Sequence, residues 1–175
     1  ADVLMKGLVS TDKYMRGILN KEAGLFPPKG VLSHVSIVEM PCYHKLLVIS
    51  DVAVIPLPDF KQKIKQIGYL AKVANLLGIE TPKAACLAAV ETVNPKMQAT
   101  VDAACLCKMA DRGAFPGAVV EGPLAMDNIL SAEAARKKGI DSPVPGHADI
   151  ILAPSIEVAN TFSKTLNALL QRRHR

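Results

Sequence analysis

Apolar runs of strand length alternate with amphipathic segments through the second half of the 175-residue chain. Pro123 stands at the start of one of these helical segments, a position that tolerates proline. The predicted strands and helices span residues 83–91, 96–112, 117–121, 123–138, 148–153 and 155–170. Three strand–helix units with short connections imply right-handed crossovers and a parallel sheet.

The first half of the chain is less regular. Residues 2–7 are typical of a buried strand, and Ser10 or Thr11 can cap a helix that runs to residue 21. Tyr14 and Ile18 would lie on the inner face of that helix.

A strand pair and a long helix follow. The apolar runs 31–40 and 45–54 are separated by four residues, which favours an antiparallel pair or a strand pair at a domain edge. Residues 59–77 predict an amphipathic helix that Gly78 ends. Its apolar positions are Phe60, Ile64, Ile67, Ala71 and Ala74.

These elements predict an α/β fold, with a mostly parallel sheet, flanking helices and an inserted or edge strand pair. We expect a first region over residues 1–78 and a βα-repeat region over 79–170. Residues 171–175 form an atypical basic tail.

Composition narrows the function. Half of the residues are apolar and only 4% are aromatic, as expected where helices cover both faces of a parallel sheet. The net charge is +5, of which the arginines at 172, 173 and 175 supply three, so nucleic-acid binding is not expected. No apolar run reaches membrane-spanning length, and the four cysteines follow no zinc or redox spacing, which favours a reducing cytosol.

Residues 87–96 are the stretch that best predicts chemistry. A small apolar strand ends there, and Thr92, Asn94 and Lys96 follow at the mouth of the next helix. Ligands of parallel sheets collect at the carboxyl ends of strands, and a helix N-terminus attracts anions. This indicates an anion site, with phosphate as the expected anion; the alternative is an ordinary βα turn with Asn94 as the helix cap.

Other polar residues stand at predicted strand ends, and each has a structural alternative. Lys6 and Arg16 can present positive charge to phosphate or can lie at the surface. Asp51 can orient a donor, act as a base or form a turn. Glu121 and Asp127 can hold a donor or a metal, or can be structural.

Two further observations restrict the chemistry. His34 lies in an apolar run and is more typical of a hydrogen-bonded core histidine than of a catalyst. The chain has no GxSxG, P-loop, HExxH or GxGxxG motif, which weakens hydrolase, kinase, zinc-protease and dinucleotide hypotheses.

Five long segments resemble the phosphate acetyl/butyryltransferase family, most closely its phosphate butyryltransferase branch. They include LSHVSIVEMP, AAVETVNPKMQATVDAACLCKMADRG and VEGPLAMDNILSAEAARKKGI, and the matches cover nearly the whole chain. The resemblance implies transfer of a butyryl or other short acyl group between coenzyme A and inorganic phosphate. It also implies a cytoplasmic homodimer or higher homo-oligomer with a fold like that of the isocitrate and isopropylmalate dehydrogenases, with coenzyme A as substrate and no bound cofactor or metal.

The resemblance assigns a substrate-binding edge. It comprises Lys6, Gly7, Thr11, Arg16, Thr92, Asn94, Lys96, Met97, Glu121, Asp127 and Asn160. In the implied mechanism a base takes the coenzyme A thiol proton, and the thiolate attacks the acyl-phosphate carbonyl carbon.

The chain also departs from the family pattern. Relatives have a further αβ region before residue 2, and beyond residue 170 they have another strand and a Ser-Arg segment followed by an acidic residue, the proposed base. Ile55, Glu121 and the pair at 158–159 replace residues usual in relatives. We therefore expect a fragment that lacks both ends and shows little turnover alone.

Two alternatives remain at this point. One is a non-catalytic fragment that binds coenzyme A or a partner subunit. The other is a metal- and NAD-dependent dehydrogenase of the same fold, although the MKG, VNPKM and EGPLAMD motifs fit the acyltransferases better.

Overall fold

The computed structural model describes residues 3–22, 25–27 and 29–170. The chain divides into two compact units, Ala1–Leu32 and Ser33–Arg175. The predicted basic tail at 171–175 lies outside the described residues.

The described residues of the first unit contain one helix, α1 (Thr11–Leu19). The Ser10 hydroxyl accepts a hydrogen bond from Lys13 N, as the capping pattern predicts, and Tyr14 and Ile18 are half-buried. The predicted strand at 2–7 is wrong for its described part, since residues 3–7 form no strand and their side chains are exposed. The apolar side chains of Val3, Leu4 and Met5 are exposed and not buried in a strand.

The second unit is built on a five-stranded sheet in the order β1-β2-β5-β3-β4. Its strands are β1 (Ser36–Val38), β2 (Leu47–Ser50), β3 (Lys83–Leu87), β4 (Val119–Leu124) and β5 (Ile150–Leu152). The β1–β2 pair is antiparallel and every other pair is parallel, which confirms the predicted mostly parallel sheet with an edge strand pair. This sheet continues across the expected region boundary at residue 78, and that division stays a prediction.

Helices cover both faces of this sheet. They are α2 (Phe60–Leu76), α3 (Gln98–Asp111), α4 (Met126–Leu130), α5 (Ala132–Lys137) and α6 (Ile156–Leu170). Strand residues alternate between two cores: Val48 and Ile150 pack in the core that includes residues of α2 and α3, whereas Ile49 and Ile151 pack in the core with residues of α4 and α6. The low aromatic content fits these layers of small aliphatic side chains.

Asp149 connects the amino ends of three parallel strands through hydrogen bonds. Its buried carboxylate accepts hydrogen bonds from Lys45 Nζ at 2.8 Å and Lys83 N at 2.9 Å. Its backbone oxygen accepts from Val48 N, and its backbone N–H donates to Lys83 O. The starts of β2, β3 and β5 are therefore held together by one residue.

The predicted helix at 123–138 is wrong at its start and in its continuity. Pro123 lies within β4, which is the outermost strand of the described sheet, where proline is tolerated. The helical part is split at Ser131, which ends α4 and caps α5 through a hydrogen bond from Ala134 N. The other predicted helices are confirmed, with ends shifted by a few residues. No helix in the described ranges is both long and apolar enough to cross a membrane.

The first prediction concerns Gly122, where β4 approaches β3 closely. A Cβ at this position would lie 2.8 Å from Cys86 Cβ and 2.9 Å from Cys86 O. We expect Gly122→Ala to reduce the free energy of unfolding in urea by about 1–3 kcal/mol because the two strands must separate.

Gly68→Ala is the matched control. An added Cβ there meets nothing within 4 Å on the exposed face of α2. The helix should gain about 0.5–1 kcal/mol. Equal stability of Gly122→Ala and wild type would contradict the close strand approach.

Candidate functional site

An apolar groove of about 820 Å³ opens where three parallel strands end. β3, β4 and β5 finish at Leu87, Leu124 and Leu152, and residues that follow directly line the groove. Helices α3, α4 and α6 contribute the remaining walls. The lining residues are Leu87, Ala88, Ala89, Met97, Ala99, Ala125, Met126, Pro154, Glu157, Val158, Thr161, Phe162 and Thr165. A cleft at this edge is where open α/β sheets bind ligands.

The loop between β3 and α3 is shaped by Thr100. The Thr100 hydroxyl accepts a hydrogen bond from Asn94 N at 2.9 Å and lies 2.8 Å from Met97 O. Asn94 Oδ1 accepts from Lys96 N at 2.9 Å and so forms a local turn. Asn94 is therefore not the helix cap, which corrects that alternative.

The N-terminus of α3 is open to a ligand. Its N-cap is Met97, which makes no side-chain capping bond, and the neighbouring Lys96 and Thr92 are exposed. Met97 and Ala99 also line the groove. An anion at this helix start would meet backbone N–H groups, the positive end of the helix dipole and a lysine.

A pair of salt bridges made by Lys138 also contacts this loop. Lys138 Nζ lies 3.2 Å from Glu91 Oε2 and 3.2 Å from Asp127 Oδ2. The hydrogen bond from Lys138 lowers the pKa of Glu91 and that of Asp127, and the two carboxylates raise the pKa of Lys138. The predicted site residue Asp127 is thus already paired. Sequence reasoning missed both Lys138 and Glu91, although Glu91 lies within the stretch 87–96 that best predicted chemistry.

A second, buried ion pair lies between α2 and α3. Lys63 Nζ is 2.6 Å from Asp102 Oδ2, and both side chains are about nine-tenths buried. Gln98 Nε2 donates to the other carboxylate oxygen at 2.7 Å. The sequence does indicate that Lys63 is buried, because Lys63 falls on the apolar face of α2 between Phe60 and Ile67.

Asp51 at the end of β2 is a turn-forming carboxylate. It accepts hydrogen bonds from Ser33 Oγ, His34 N, Ala53 N, Val54 N and Ile55 N. Burial acts to raise its pKa, but the donated hydrogen bonds outweigh burial, and the pKa of Asp51 is lowered overall. All of these donors belong to the protein, which supports the structural alternative over a base.

His34 differs from its expected role. It lies before β1 and is half-buried, and its Nδ1 has no hydrogen-bond partner among the described residues. Its Nδ1 atom therefore lacks the hydrogen bond expected of a core histidine.

Other predicted site residues make bonds within the chain or lie in the first unit. Glu121 Oε1 accepts from Gly122 N, and Asn160 Nδ2 donates to Val52 O at 2.9 Å. Arg16 Nε pairs with Asp12 at 3.1 Å on the exposed face of α1. Lys6, Gly7 and Thr11 are also exposed residues of the first unit.

The second unit brings together four of the predicted residues, namely Thr92, Asn94, Lys96 and Met97. Asp127 is joined to their loop through Lys138 and Glu91.

The described residues also bear on metal binding. Within residues 3–22, 25–27 and 29–170, no three His, Cys, Asp or Glu side chains converge on one point. Glu121 and Asp127 therefore do not form part of such a cluster there.

These features place the chain among the α/β proteins whose clefts lie at the carboxyl ends of parallel strands. It belongs to the phosphate acetyl/butaryl transferase family, whose model matches residues 1–173. This confirms the family resemblance found in its motifs.

Relatives and solved structures agree with this membership. The chain is 50% identical over 166 residues to phosphate butyryltransferase of Clostridium acetobutylicum and 46% identical over 165 residues to phosphate acetyltransferase of Thermotoga maritima. These matches cover 95% and 94% of the chain but 55% and 56% of the relatives. The crystal structure of a branched-chain phosphotransacylase from Enterococcus faecalis V583 superposes with a TM-score of 0.82 at 34% identity, covering 93% of this chain and 57% of that one. The chain therefore spans about half the length of the relatives it matches.

Our second prediction concerns the pH dependence that Asp51 confers. Its pKa is lower in the folded chain than its ordinary value of 3.8. The stabilisation is therefore fully present above that value and is lost as the pH falls through the lowered pKa. Asp51→Asn should cost about 2 kcal/mol or more near neutral pH, because charge-assisted hydrogen bonds are lost.

The measurement is urea unfolding of wild type and Asp51→Asn from neutral to strongly acid pH. The difference in unfolding free energy should shrink as the pH falls. Asp141→Asn, at an exposed carboxylate, should follow wild type throughout. A difference in unfolding free energy between wild type and Asp51→Asn that does not change with pH would contradict the lowered pKa of Asp51 in the folded chain.

The third prediction concerns the buried pair. Lys63→Met leaves the Asp102 carboxylate buried without its cation and should cost about 3–5 kcal/mol. The double variant Lys63→Met with Asp102→Leu should be clearly more stable than the single variant, because no unpaired charge remains. Urea unfolding measures both.

Lys108→Met tests an exposed pair on α3, where Lys108 and Asp111 lie 3.2 Å apart. Its effect should stay within about 0.5 kcal/mol. A double variant as unstable as Lys63→Met would show that lost packing, and not the unpaired charge, explains the effect.

Proposed function

We propose that this chain takes part in acyl transfer between coenzyme A and inorganic phosphate, with acyl-CoA and phosphate giving acyl phosphate and free coenzyme A. The names of its relatives, phosphate butyryltransferase and phosphate acetyltransferase, support this reaction. The proposed transferred group is butyryl or another short acyl group.

One observation carries the proposal: the apolar groove and the open start of α3 share Met97 and Ala99. The substrates have the same two-part character, because a short acyl chain is apolar and phosphate is a compact anion. The acyl group would lie along the groove. The phosphate would lie at the helix start, beside Lys96.

The proposed chemistry needs positioning and charge stabilisation. In one direction a base takes the thiol proton of coenzyme A, the sulfur attacks the carbonyl carbon of the acyl phosphate, and the bond to the phosphate oxygen breaks. Phosphate leaves as an anion, and N–H groups and Lys96 would stabilise the charge that develops on it. The base is not assigned to any residue of this chain.

The other family-derived site residues remain part of the proposal. Lys6, Gly7, Thr11 and Arg16 would bind substrate from the first unit. Glu121 and Asn160 make hydrogen bonds within the chain, which favours a supporting role for them over direct contact.

Finer properties follow from the family. We propose a fold related to the isocitrate and isopropylmalate dehydrogenases, a homodimer or higher homo-oligomer, and a cytoplasmic location. Coenzyme A would be a substrate, with no bound cofactor or metal and no nucleic-acid or membrane partner.

Our fourth prediction tests the phosphate position. Lys96→Gln should raise the KM for phosphate roughly 10- to 150-fold, since a charge-assisted contact contributes about 1.5–3 kcal/mol. The assay follows phosphate-dependent release of the coenzyme A thiol from butyryl-CoA. Lys65→Gln, an exposed lysine of α2, is the matched control and should leave the KM unchanged.

Calorimetric titration of the chain with coenzyme A completes the test. Binding without turnover would favour the alternative of a coenzyme A-binding module. Neither binding nor turnover would refute both proposals. Turnover with an unchanged KM in Lys96→Gln would remove Lys96 from the phosphate site.

A further inference from the structure

The segment between the sheet and Asn94 has little to hold it. Ala88 N donates to Leu124 O at 2.9 Å, which is the last hydrogen bond of this segment to the sheet. Asn94 is fixed again by Thr100. Within residues 89–93, all of which are described, Glu91 is the one residue with a hydrogen bond to another element. The course of this loop therefore depends on Glu91.

Lys138 is the main partner of Glu91. It is the C-cap residue of α5, an end of a helix that favours positive charge. Its ammonium group bridges Glu91 and Asp127, so it connects the β3–α3 loop to α4, in which Asp127 lies. One side chain thus joins the β3–α3 loop to the two consecutive helices α4 and α5, which lie more than 30 residues further along the chain.

The hydrogen bonding of the buried Asn128 side chain also depends on the position of Glu91. Its side chain is fully buried, its Nδ2 lies 3.5 Å from Glu91 Oε2, and its Oδ1 has no partner among the described residues. If Glu91 moved away, the buried amide would lose its remaining partner. A buried polar group without a partner is costly, so the loop and Asn128 should shift together.

We propose that Lys138 is a positioning residue for the loop at 89–97, and that it acts through Glu91 to set where the start of α3 meets the groove. The consequence for ligand binding rests on the proposed function. The positioning itself does not, because it is a property of the unliganded loop.

The competing interpretation is an ordinary surface ion pair. Exposed pairs usually add little to stability, and the Lys138, Glu91 and Asp127 side chains are 35%, 28% and 57% exposed. The two interpretations differ in what they expect: a surface pair would leave the loop unchanged on removal, whereas a positioning residue would alter the loop with little change in global stability.

The chain offers a matched control in the adjacent residue. Lys137 pairs with Glu133 at 2.8 Å within α5, and both side chains are largely exposed. Lys137→Met therefore removes the same charge and the same kind of contact without touching the loop. Lys138→Arg keeps the charge and should restore positioning, and Glu91→Gln weakens the bridge from the opposite side.

Hydrogen exchange of the Asn94, Lys96 and Met97 amides, which donate hydrogen bonds within the chain, is the primary measurement, and it requires no ligand. We expect Lys138→Met and Glu91→Gln to speed the exchange of these amides roughly tenfold, while exchange in β2 and β5 stays unchanged. Lys137→Met and Lys138→Arg should match wild type. The thermal midpoint of each variant verifies that it is folded.

Calorimetric titration with coenzyme A is the second measurement. Lys138→Met should weaken binding roughly tenfold relative to wild type and Lys137→Met. Faster exchange with unaltered affinity would overturn the link from loop position to binding. Faster exchange in a chain whose wild type does not bind coenzyme A would support the positioning and refute the proposed function. Unchanged exchange in both Lys138→Met and Glu91→Gln would overturn the inference outright.

Discussion

The convergence of three strand starts on Asp149 is the constraint on which the rest of the second unit depends. Parallel strands share no turn, so their relative register must be set by contacts between distant segments. The Asp149 carboxylate accepts from Lys45 and from the first residue of β3, while its own backbone pairs with both neighbouring strands. Because β2, β3 and β5 start in register, they also finish together, and the ends of two of them, β3 and β5, lie at the groove.

Two kinds of charge contact organise that edge. The Lys63–Asp102 pair is buried beneath the first turns of α3 and fixes how α2 and α3 meet. The Lys138 bridge is partly exposed and holds a loop that otherwise has few contacts. Their chemistry is similar but their surroundings differ: the first is sensitive to the loss of either partner because of desolvation, and the second acts mainly on local geometry.

Much of this architecture followed from local patterns in the sequence. The alternation of apolar runs and amphipathic segments predicted the parallel sheet, and the four-residue spacing at 41–44 predicted the antiparallel pair. Pro123 was misassigned because a proline suits both a helix start and an edge strand, and only the pairing of β4 with β3 decides between them.

The candidate site was only partly accessible to the same reasoning. Residues 92–97 stood out because their polar side chains follow a strand directly. Glu91 and Lys138 are 47 positions apart, and nothing local to either predicts their contact. The same holds for Lys63 and Asp102, whose pairing depends on the packing of α2 against α3. Residues 3–7 had the composition of a strand but form none, and composition alone does not show whether a strand has a partner to pair with.

The lining of the groove has a consequence for selectivity. Two of its walls carry Met97 and Met126, whose unbranched thioether side chains change rotamer at little cost. The segment that follows β3, in contrast, contributes Ala88 and Ala89, whose side chains have no rotamers to change. The depth available to a bound apolar chain is therefore adjustable at the methionines without any movement of the backbone.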